Sequence, residues 1–303
     1  MKVGVALSTF NSDQEVIDLI SRILNESWPI AGIIVIDSLG GVAIPEHISL
    51  NNIQNVDYYN FDYNLGSAGN LHNRLLYASR KEWDFVLALN QDALVTKSTF
   101  LAQLENCSLP NLGALYPLKY FPEKGFYDYS GTREVGPWRA FGKTSKPEKN
   151  LIEHIWSSSN GALYSLEPVR KGILPNKDLW FGWEDYLYGL DLKKNGYDQL
   201  VVTNAICEDN YEFEARKLGP LNLKLSVKPA WYHYYRTRNL WWIACYKHPS
   251  LVRLLRVILR MLGETISIFL GWEKENKFLA LRYQLTGMMH GISNKMGKWK
   301  VPE

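Results

Sequence analysis

The 303-residue chain is poor in cysteine: Cys107, Cys207 and Cys245 are odd in number and far apart. That excludes a disulfide framework and a CxxC zinc site, and it fits a reducing compartment. No stretch of about 18 uncharged apolar residues occurs, so no membrane-spanning helix is expected. The apolar run in Met1-Lys2-Val3-Gly4-Val5-Ala6-Leu7 is too short for a signal peptide, and none is expected. The dinucleotide-binding pattern GxGxxG is missing. Gly142-Lys143-Thr144 looks like half a phosphate-binding loop, but Gly136 is one residue too distant and no apolar strand precedes it. The six histidines lack zinc spacing, and no nucleophile-elbow motif supports a hydrolytic triad. Internal repeats and low-complexity tracts are absent as well.

What remains is a globular composition, 46% hydrophobic and 21% charged. Aromatic content is high, with 11 Trp and 18 Tyr. Such side chains suit amphipathic surfaces, including those that meet sugars or a membrane interface. The net charge of +3 conceals an asymmetry. Residues 240–303 hold ten Lys/Arg against four acids, a net +6, which leaves −3 for the remainder. An acidic body with a basic tail points to an anionic partner for the tail alone, and the body does not suit nucleic acid.

Val3 to Leu7 is a short apolar run that predicts a buried strand. Ser12 and Glu15 form a capping-box pattern before Val16, Ile17, Leu19, Ile20 and Ile23, which recur at helical spacing. Ile33 to Ile36, Val56 to Tyr59 and Asp84 to Leu89 predict three further strands. Helices are expected after Asn64-Leu65-Gly66-Ser67 and after Ser98, which can cap the latter. This β-α-β-α-β order with nearly all-apolar strands predicts an α/β fold with a mostly parallel sheet covered by helices. Ligands of such sheets sit beyond the carboxyl ends of the strands. Those ends carry Thr9 and Asn11, Asp37, Asn64 and Gly66, and Asn90 and Asp92, which should converge on one crevice. Residues 119–150 have no period and predict a long functional loop or lid. Leu200 to Val202 predicts another strand, and helix is expected from about residue 236.

Three constellations could carry chemistry. Asp92 in Asn90-Gln91-Asp92 can hold a divalent cation through oxygen, or simply cap the next turn. In Trp183-Glu184-Asp185, a carboxylate in apolar surroundings can act as a general base, or the pair can be a plain helix-start acid pair. Asn64-x-Gly66-x-x-Gly69-Asn70 combines close backbone approach with a helix N-terminus that favours anions.

In chain order these segments resemble family 2 glycosyltransferases of the GT-A fold, close to bacterial rhamnosyl- and galactofuranosyltransferases. Ser8-Thr9-Phe10-Asn11 resembles the family's VTYN opening, and Ile36-Asp37-Ser38 its VDNxS. Asn64 to Asn70 resembles NxGxAxxxN, and Asn90-Gln91-Asp92 stands where the family has DxD. Ser159-Asn160-Gly161-Ala162-Leu163 resembles xSGxLxS, Trp183-Glu184-Asp185 the acceptor-side acid pair, and Tyr234 to Asn239 YYxxRN. Gly287 to Gly291 with Lys295-Met296-Gly297 resembles the C-terminal GxxxGxxxxxG.

The resemblance implies an inverting, metal-dependent transferase. It would move a sugar from a UDP or dTDP donor to a lipid-linked or growing surface polysaccharide. It places Thr9, Asn11 and Asp37 in a nucleotide pocket, with Asn64, Gly66, Asn70 and Asn90 toward the donor. Asp92 would bind Mn²⁺ or Mg²⁺. Asp185 would be the base, with Glu184 and Trp183 shaping the acceptor side. The family's metal-binding His is replaced by Glu208-Asp209, so one of these acids, Asp209 in the first place or else Glu208, is the expected second ligand, with His233 a further candidate. Asn90 departs from the family by supplying no charge. A nucleotidyltransferase should show a Gly-rich, basic first loop, which Ser8 to Asn11 lacks. The altered DxD would also permit a non-catalytic scaffold relative, against which the intact Glu184-Asp185 counts.

The expected division is a catalytic domain over 1–235 and a helical region over 236–303. In the latter, Arg253, Arg256, Arg260 and Glu264 share one helix face, with Leu254, Leu255, Val257, Ile258, Leu259, Met261 and Leu262 on the remainder and Trp241, Trp242 and Trp272 alongside. A basic, Trp-flanked amphipathic helix predicts attachment at a membrane surface, on the cytoplasmic side. An ordinary packed helix with a solvated arginine stripe, or a homodimer contact, would give the same pattern.

Overall fold

The computed structural model describes residues 1–122, 125–128, 130–132, 134, 143–208, 215–218, 223–226, 228–270 and 276–299. The chain divides into two compact units. The first takes Met1–Thr132, Phe141–Lys177 and Glu184–Asp209, and the second takes Arg133–Ala140, Asp178–Trp183 and Asn210–Glu303.

The first unit is a sheet between two helical layers. Its first half comes from the apolar runs: β1 Val3–Phe10, β2 Ile33–Ser38, β3 Val56–Phe61 and β4 Phe85–Asn90. These pair in parallel in the order β3-β2-β1-β4. The second half is mixed. Strands β5 Leu112–Phe121, β6 Phe126–Tyr127, β7 Leu151–Glu153, β8 Ala162–Ser165 and β9 Asp198–Glu208 extend the order as β8-β5-β9-β7, with β6 on β5. Strand β8 runs antiparallel to both β4 and β5. Its entry loop therefore lies at the carboxyl end of β4.

Alternation along the central strands feeds two cores. Val3, Val5, Leu7, Ile33, Val35, Leu87 and Leu89 point to one face. There they meet Val16, Leu19, Ile20 and Ile23 of α1 Asp13–Asn25, Ile44 of α2 Ala43–Leu50, and Phe100 of α4 Lys97–Leu104. Ala6, Ile34, Ile36, Val86 and Ala88 point to the other. They meet Leu71, Leu75 and Ala78 of α3 Gly66–Ser79, Val169 of the short α5 Glu167–Arg170, and Tyr188 and Leu192 of α6 Glu184–Lys194. Both cores are sealed because a strand buried on two faces needs apolar residues at every position.

Two expected caps differ. Ser12 is the N-cap of α1 but makes no capping bond. Its hydroxyl instead accepts Gln91 Nε2 at 2.9 Å, while Gln91 Oε1 accepts the Phe10 amide at 2.9 Å. Gln91 thus ties the end of β1 to the start of α1. Helix α4 is capped by Thr96, whose Oγ1 accepts from the Thr99 amide, and Ser98 is the second residue of the helix. Residues 119–122 belong to β5 and an adjoining turn, followed by β6 and a 3-10 turn at Ser130–Thr132. The expected lid at 119–150 falls partly outside the described residues.

The second unit contains the hairpin β10 Ala215–Leu218 and β11 Leu223–Ser226, then α7 Ala230–Trp242, α8 Leu251–Phe269 and α9 Lys277–Ile292. Helix thus starts ahead of the expected 236. An aromatic core of Trp180, Tyr234 and Tyr235 is packed by Trp231, Tyr283 and Trp299, with Tyr234 stacked on Trp299 at 4.2 Å. The Tyr234 to Asn239 motif has a structural reason here. Arg238 donates to the carbonyls of Leu179, Asp178 and Gly297, and Asn239 Nδ2 to those of Leu179, Phe181 and Gly182. One helix turn therefore satisfies four of the five carbonyls of the 178–182 segment, which has no ladder of its own.

Candidate active site

Register brings the ends of β1, β2 and β4 to one level. Thr9 pairs with Asp37 across β1 and β2, and Ser8 pairs with Asn90 across β1 and β4. Thr9 and Asp37 are each 1% exposed. Tyr58 donates to Asp37 Oδ2 at 2.6 Å. Burial raises the Asp37 carboxyl above its ordinary value, and the Tyr58 bond opposes that rise. Thr9 Oγ1 and Asp37 Oδ1 are buried without a hydrogen-bond partner. Such atoms cost roughly 1–3 kcal/mol each unless a ligand or water satisfies them. Asn11 follows in the left-handed region at φ 53° and is exposed.

The start of α3 faces the same strand ends. Asn64 Oδ1 accepts the Gly66 amide at 2.8 Å, and Gly66 has φ 67°, which an L side chain rarely adopts. Asn70 Oδ1 accepts Ser38 Oγ at 2.9 Å. One turn later Arg74, 2% exposed, donates to Asn90 Oδ1 at 3.2 Å. Burial lowers the Arg74 guanidinium to about 10, so it remains a cation at neutral pH. Sequence reasoning missed Arg74, because an arginine within a helical period normally marks the solvent face.

The acid pair joins this group through the entry loop of β8. The Asn90 amide donates to Asn160 Oδ1 at 3.0 Å. Ser159, its neighbour, hydrogen-bonds the Asp185 carboxylate from both hydroxyl and backbone. Glu184 and Asp185 open α6, where carboxylates suit the helix dipole. Burial raises the Asp185 carboxyl above the ordinary range, and Ser159, then Arg74 and Lys119, oppose the rise. Asp185 Oδ1 is buried without a hydrogen-bond partner. Glu184 is 8% exposed. A basic, oriented, partly desolvated carboxylate of this kind can accept a proton from a hydroxyl.

Trp183 is placed differently. It belongs to the second unit, where its Nε1 donates to the Arg236 carbonyl at 3.1 Å. The guanidinium groups of Arg236 and Arg260 lie 5.2 and 4.9 Å from the centre of its ring. His233 is also there, fully buried and bonded to Glu264 at 2.6 Å. Asp209 lies outside the described residues.

For a cation, the described strand end offers Asp92, which is exposed on the turn after β4. Asn90 already spends its oxygen on Arg74. Among the described residues no group of three or more His, Cys, Asp or Glu could hold a metal ion. This donor set fits a magnesium- or manganese-type ion that takes one carboxylate from protein and the rest from phosphates and water. It does not fit a preformed all-protein site.

No family model matches the chain, and no curated protein matches it in sequence. Solved structures do. The mannosyltransferase PcManGT from Pyrobaculum calidifontis, in complex with GDP-Man and Mn²⁺, is 13% identical at a TM-score of 0.58 over 97% of this chain and 88% of its own. S. aureus TarS 1–349 in complex with UDP is 13% identical at 0.50, over 97% and 72%. GalNAc-T7 with UDP, GalNAc and Mn²⁺ is 12% identical at 0.58, over 97% and 56%. The architecture is therefore the α/β GT-A fold of nucleotide-sugar glycosyltransferases.

Proposed function

We propose that the chain is an inverting glycosyltransferase. Its donor would be a UDP or dTDP sugar, galactofuranose or rhamnose, and its acceptor a hydroxyl of a lipid-linked or growing surface polysaccharide. It would work at the inner face of the cell membrane, held there peripherally. The observation that carries this reading is the pair of buried, unpartnered oxygens at the ends of the parallel strands β1 and β2, Thr9 Oγ1 and Asp37 Oδ1, with Asp185 Oδ1 also buried and unpartnered in the same unit. The solved neighbours hold GDP-Man or UDP, which supports a nucleotide sugar as the ligand.

In this mechanism Thr9 and Asp37 bind the nucleoside, with Asn11 beside them. Asn64, Gly66 and Asn70 hold the donor at the start of α3. Asn90, charge-free itself, is kept in place by Arg74 and Asn160. Asp185 accepts the acceptor hydroxyl proton, and Glu184 borders that hydroxyl. The acceptor oxygen attacks the anomeric carbon from the face opposite the diphosphate. The bond to the diphosphate oxygen breaks, and the nucleoside diphosphate leaves with the electron pair. A positioned base typically contributes about 10²–10⁴-fold. A divalent cation on Asp92, completed by Asp209 and the phosphates, would offset charge on the leaving group.

Thermal-shift measurements with UDP, dTDP and GDP, each with Mn²⁺, Mg²⁺ or chelator, test this. One nucleotide at a hundredfold over its Kd should stabilise the native state by about 2.7 kcal/mol. Asp92→Ala should lose the metal-dependent part, while Asp185→Ala keeps binding and loses transfer. If no nucleotide raises the midpoint under any metal condition, the crevice is not a donor site, and the chain is a non-catalytic relative.

A further inference from the structure

Helix α8 is strongly amphipathic, but its charged side faces the protein. Arg253 Nη2 and Arg256 Nη1 reach the Glu134 carboxylate at 3.0 and 3.2 Å. Arg260 lies over Trp183, and Glu264 is buried against His233. The arginine stripe is thus engaged by partners within the second unit. The opposite side is left apolar and in water. Leu251, Leu255, Ile258, Leu262, Ile266 and Phe269 recur every three or four residues and are 36–83% exposed. The 19-residue helix carries this stripe over roughly 28 Å. Phe278, Leu285 and Met289 of α9, 50–78% exposed, add to the apolar surface. The two helices are joined by Gln284, which meets Thr265 and the Met261 carbonyl. A monomer rarely leaves so long an apolar stripe uncovered.

From residue 240 onward the exposed charges among the described residues have one sign. Lys247, Lys277, Arg282, Lys295 and Lys298 are exposed. Among the described residues from 240 onward Glu264 is the only acid, and it is buried. Even with every acid of the segment counted, residues 240–303 carry +6. A symmetric pairing with a second copy would bring two such segments together, which like charge opposes. No helix among the described residues is long and apolar enough to cross a membrane.

We propose that α8 and α9 dock on the surface of an anionic phospholipid bilayer. Helix α8 lies in the interface with Leu255, Ile258, Leu262 and Ile266 at the acyl boundary. Lys277, Arg282, Lys295 and Lys298 meet the headgroups. Arg253, Arg256 and Arg260 fix the helix's rotation and do not touch lipid. This surface rests on the peripheral attachment proposed above and gives it residues, and it does not rest on the transfer chemistry.

Flotation of the full chain with vesicles tests it, using phosphatidylcholine alone and phosphatidylcholine with phosphatidylglycerol. The wild type should float with the anionic vesicles. Leu262→Glu with Ile266→Glu, both solvent-exposed positions, should bind at least about tenfold more weakly while the circular-dichroism melting midpoint is unchanged. Lys277→Gln with Arg282→Gln should lose the preference for phosphatidylglycerol. The proposal is overturned if the wild type floats with neither vesicle, or if the double-Glu variant floats as well as wild type. It is equally overturned if light scattering shows a dimer that the double-Glu variant converts to monomer, without flotation, because a second copy then covers the face. Nucleotide binding is not a readout here, so the transfer chemistry and the membrane surface can fail separately.

Discussion

Helix α9 approaches α7 through two glycines four residues apart, and that approach sets a stability experiment with its own control. A Cβ at Gly287 would stand 2.4 Å from the Tyr234 carbonyl oxygen, and one at Gly291 would stand 2.5 Å from that of Arg238. Both obstacles are backbone, so no side chain can swing away and the helices must separate. Overpacking of this kind costs about 1–3 kcal/mol, toward the upper end where backbone must move. Alanine recovers roughly 0.5–1 kcal/mol from helix propensity. Gly287→Ala or Gly291→Ala should therefore lose about 2 kcal/mol net, or about 5 °C in melting midpoint at roughly 2–4 °C per kcal/mol. The double variant should lose less than the sum, since one separation relieves both clashes. Gly263 in α8 has open space where its Cβ would be. Gly263→Ala should thus gain about 0.5–1 kcal/mol. Calorimetry or circular dichroism reads all four. Stabilisation by Gly287→Ala, like that by Gly263→Ala, would refute the close approach.

Two pH experiments follow from the buried carboxylates. Ser159→Ala removes a hydroxyl bond that favours ionised Asp185, so its already raised carboxyl rises further. The acid limb of the transfer rate should then move to higher pH, with at least about tenfold lost below it, the equivalent of ~1.5–3 kcal/mol for a charged hydrogen bond. An unmoved limb would remove Asp185 as the base. For Glu264, burial pushes the carboxyl up, but Arg236, the His233 bond and Arg260 together outweigh it and hold it below its ordinary value. A depressed carboxylate stabilises above its unfolded value, about 4.3, and that stability is lost as pH falls through the folded value. Denaturant midpoints over that range should fall in wild type. They should be flatter in Glu264→Gln, itself about 3–5 kcal/mol less stable at neutral pH.

Much of the first unit was legible because burial on both faces leaves a signal in adjacent residues. The apolar runs at Val3, Ile33 and Phe85 define strands, and whatever follows a parallel strand must lie at its carboxyl end. Thr9, Asp37, Asn90 and Asp92 could be placed together on that basis alone. The ties that hold this candidate site together were not legible. Arg74 to Asn90 spans 16 residues and Asn90 to Asn160 spans 70. No local period records which helical arginine turns inward, or that an antiparallel β8 brings Ser159 to Asp185.

The same limit applies at the other end of the chain. The sequence by itself determined that α8 has a charged face and an apolar one, since spacing of three and four fixes both. Only the tertiary structure decided which face is covered. The choice depends on Glu134, some 120 residues away, on Trp183 and on His233. Those partners meet the arginines and Glu264 from within the second unit, and the leucines are left to water. Periodicity fixes the relation between two faces of a helix, whereas its orientation is set by contacts distant in sequence.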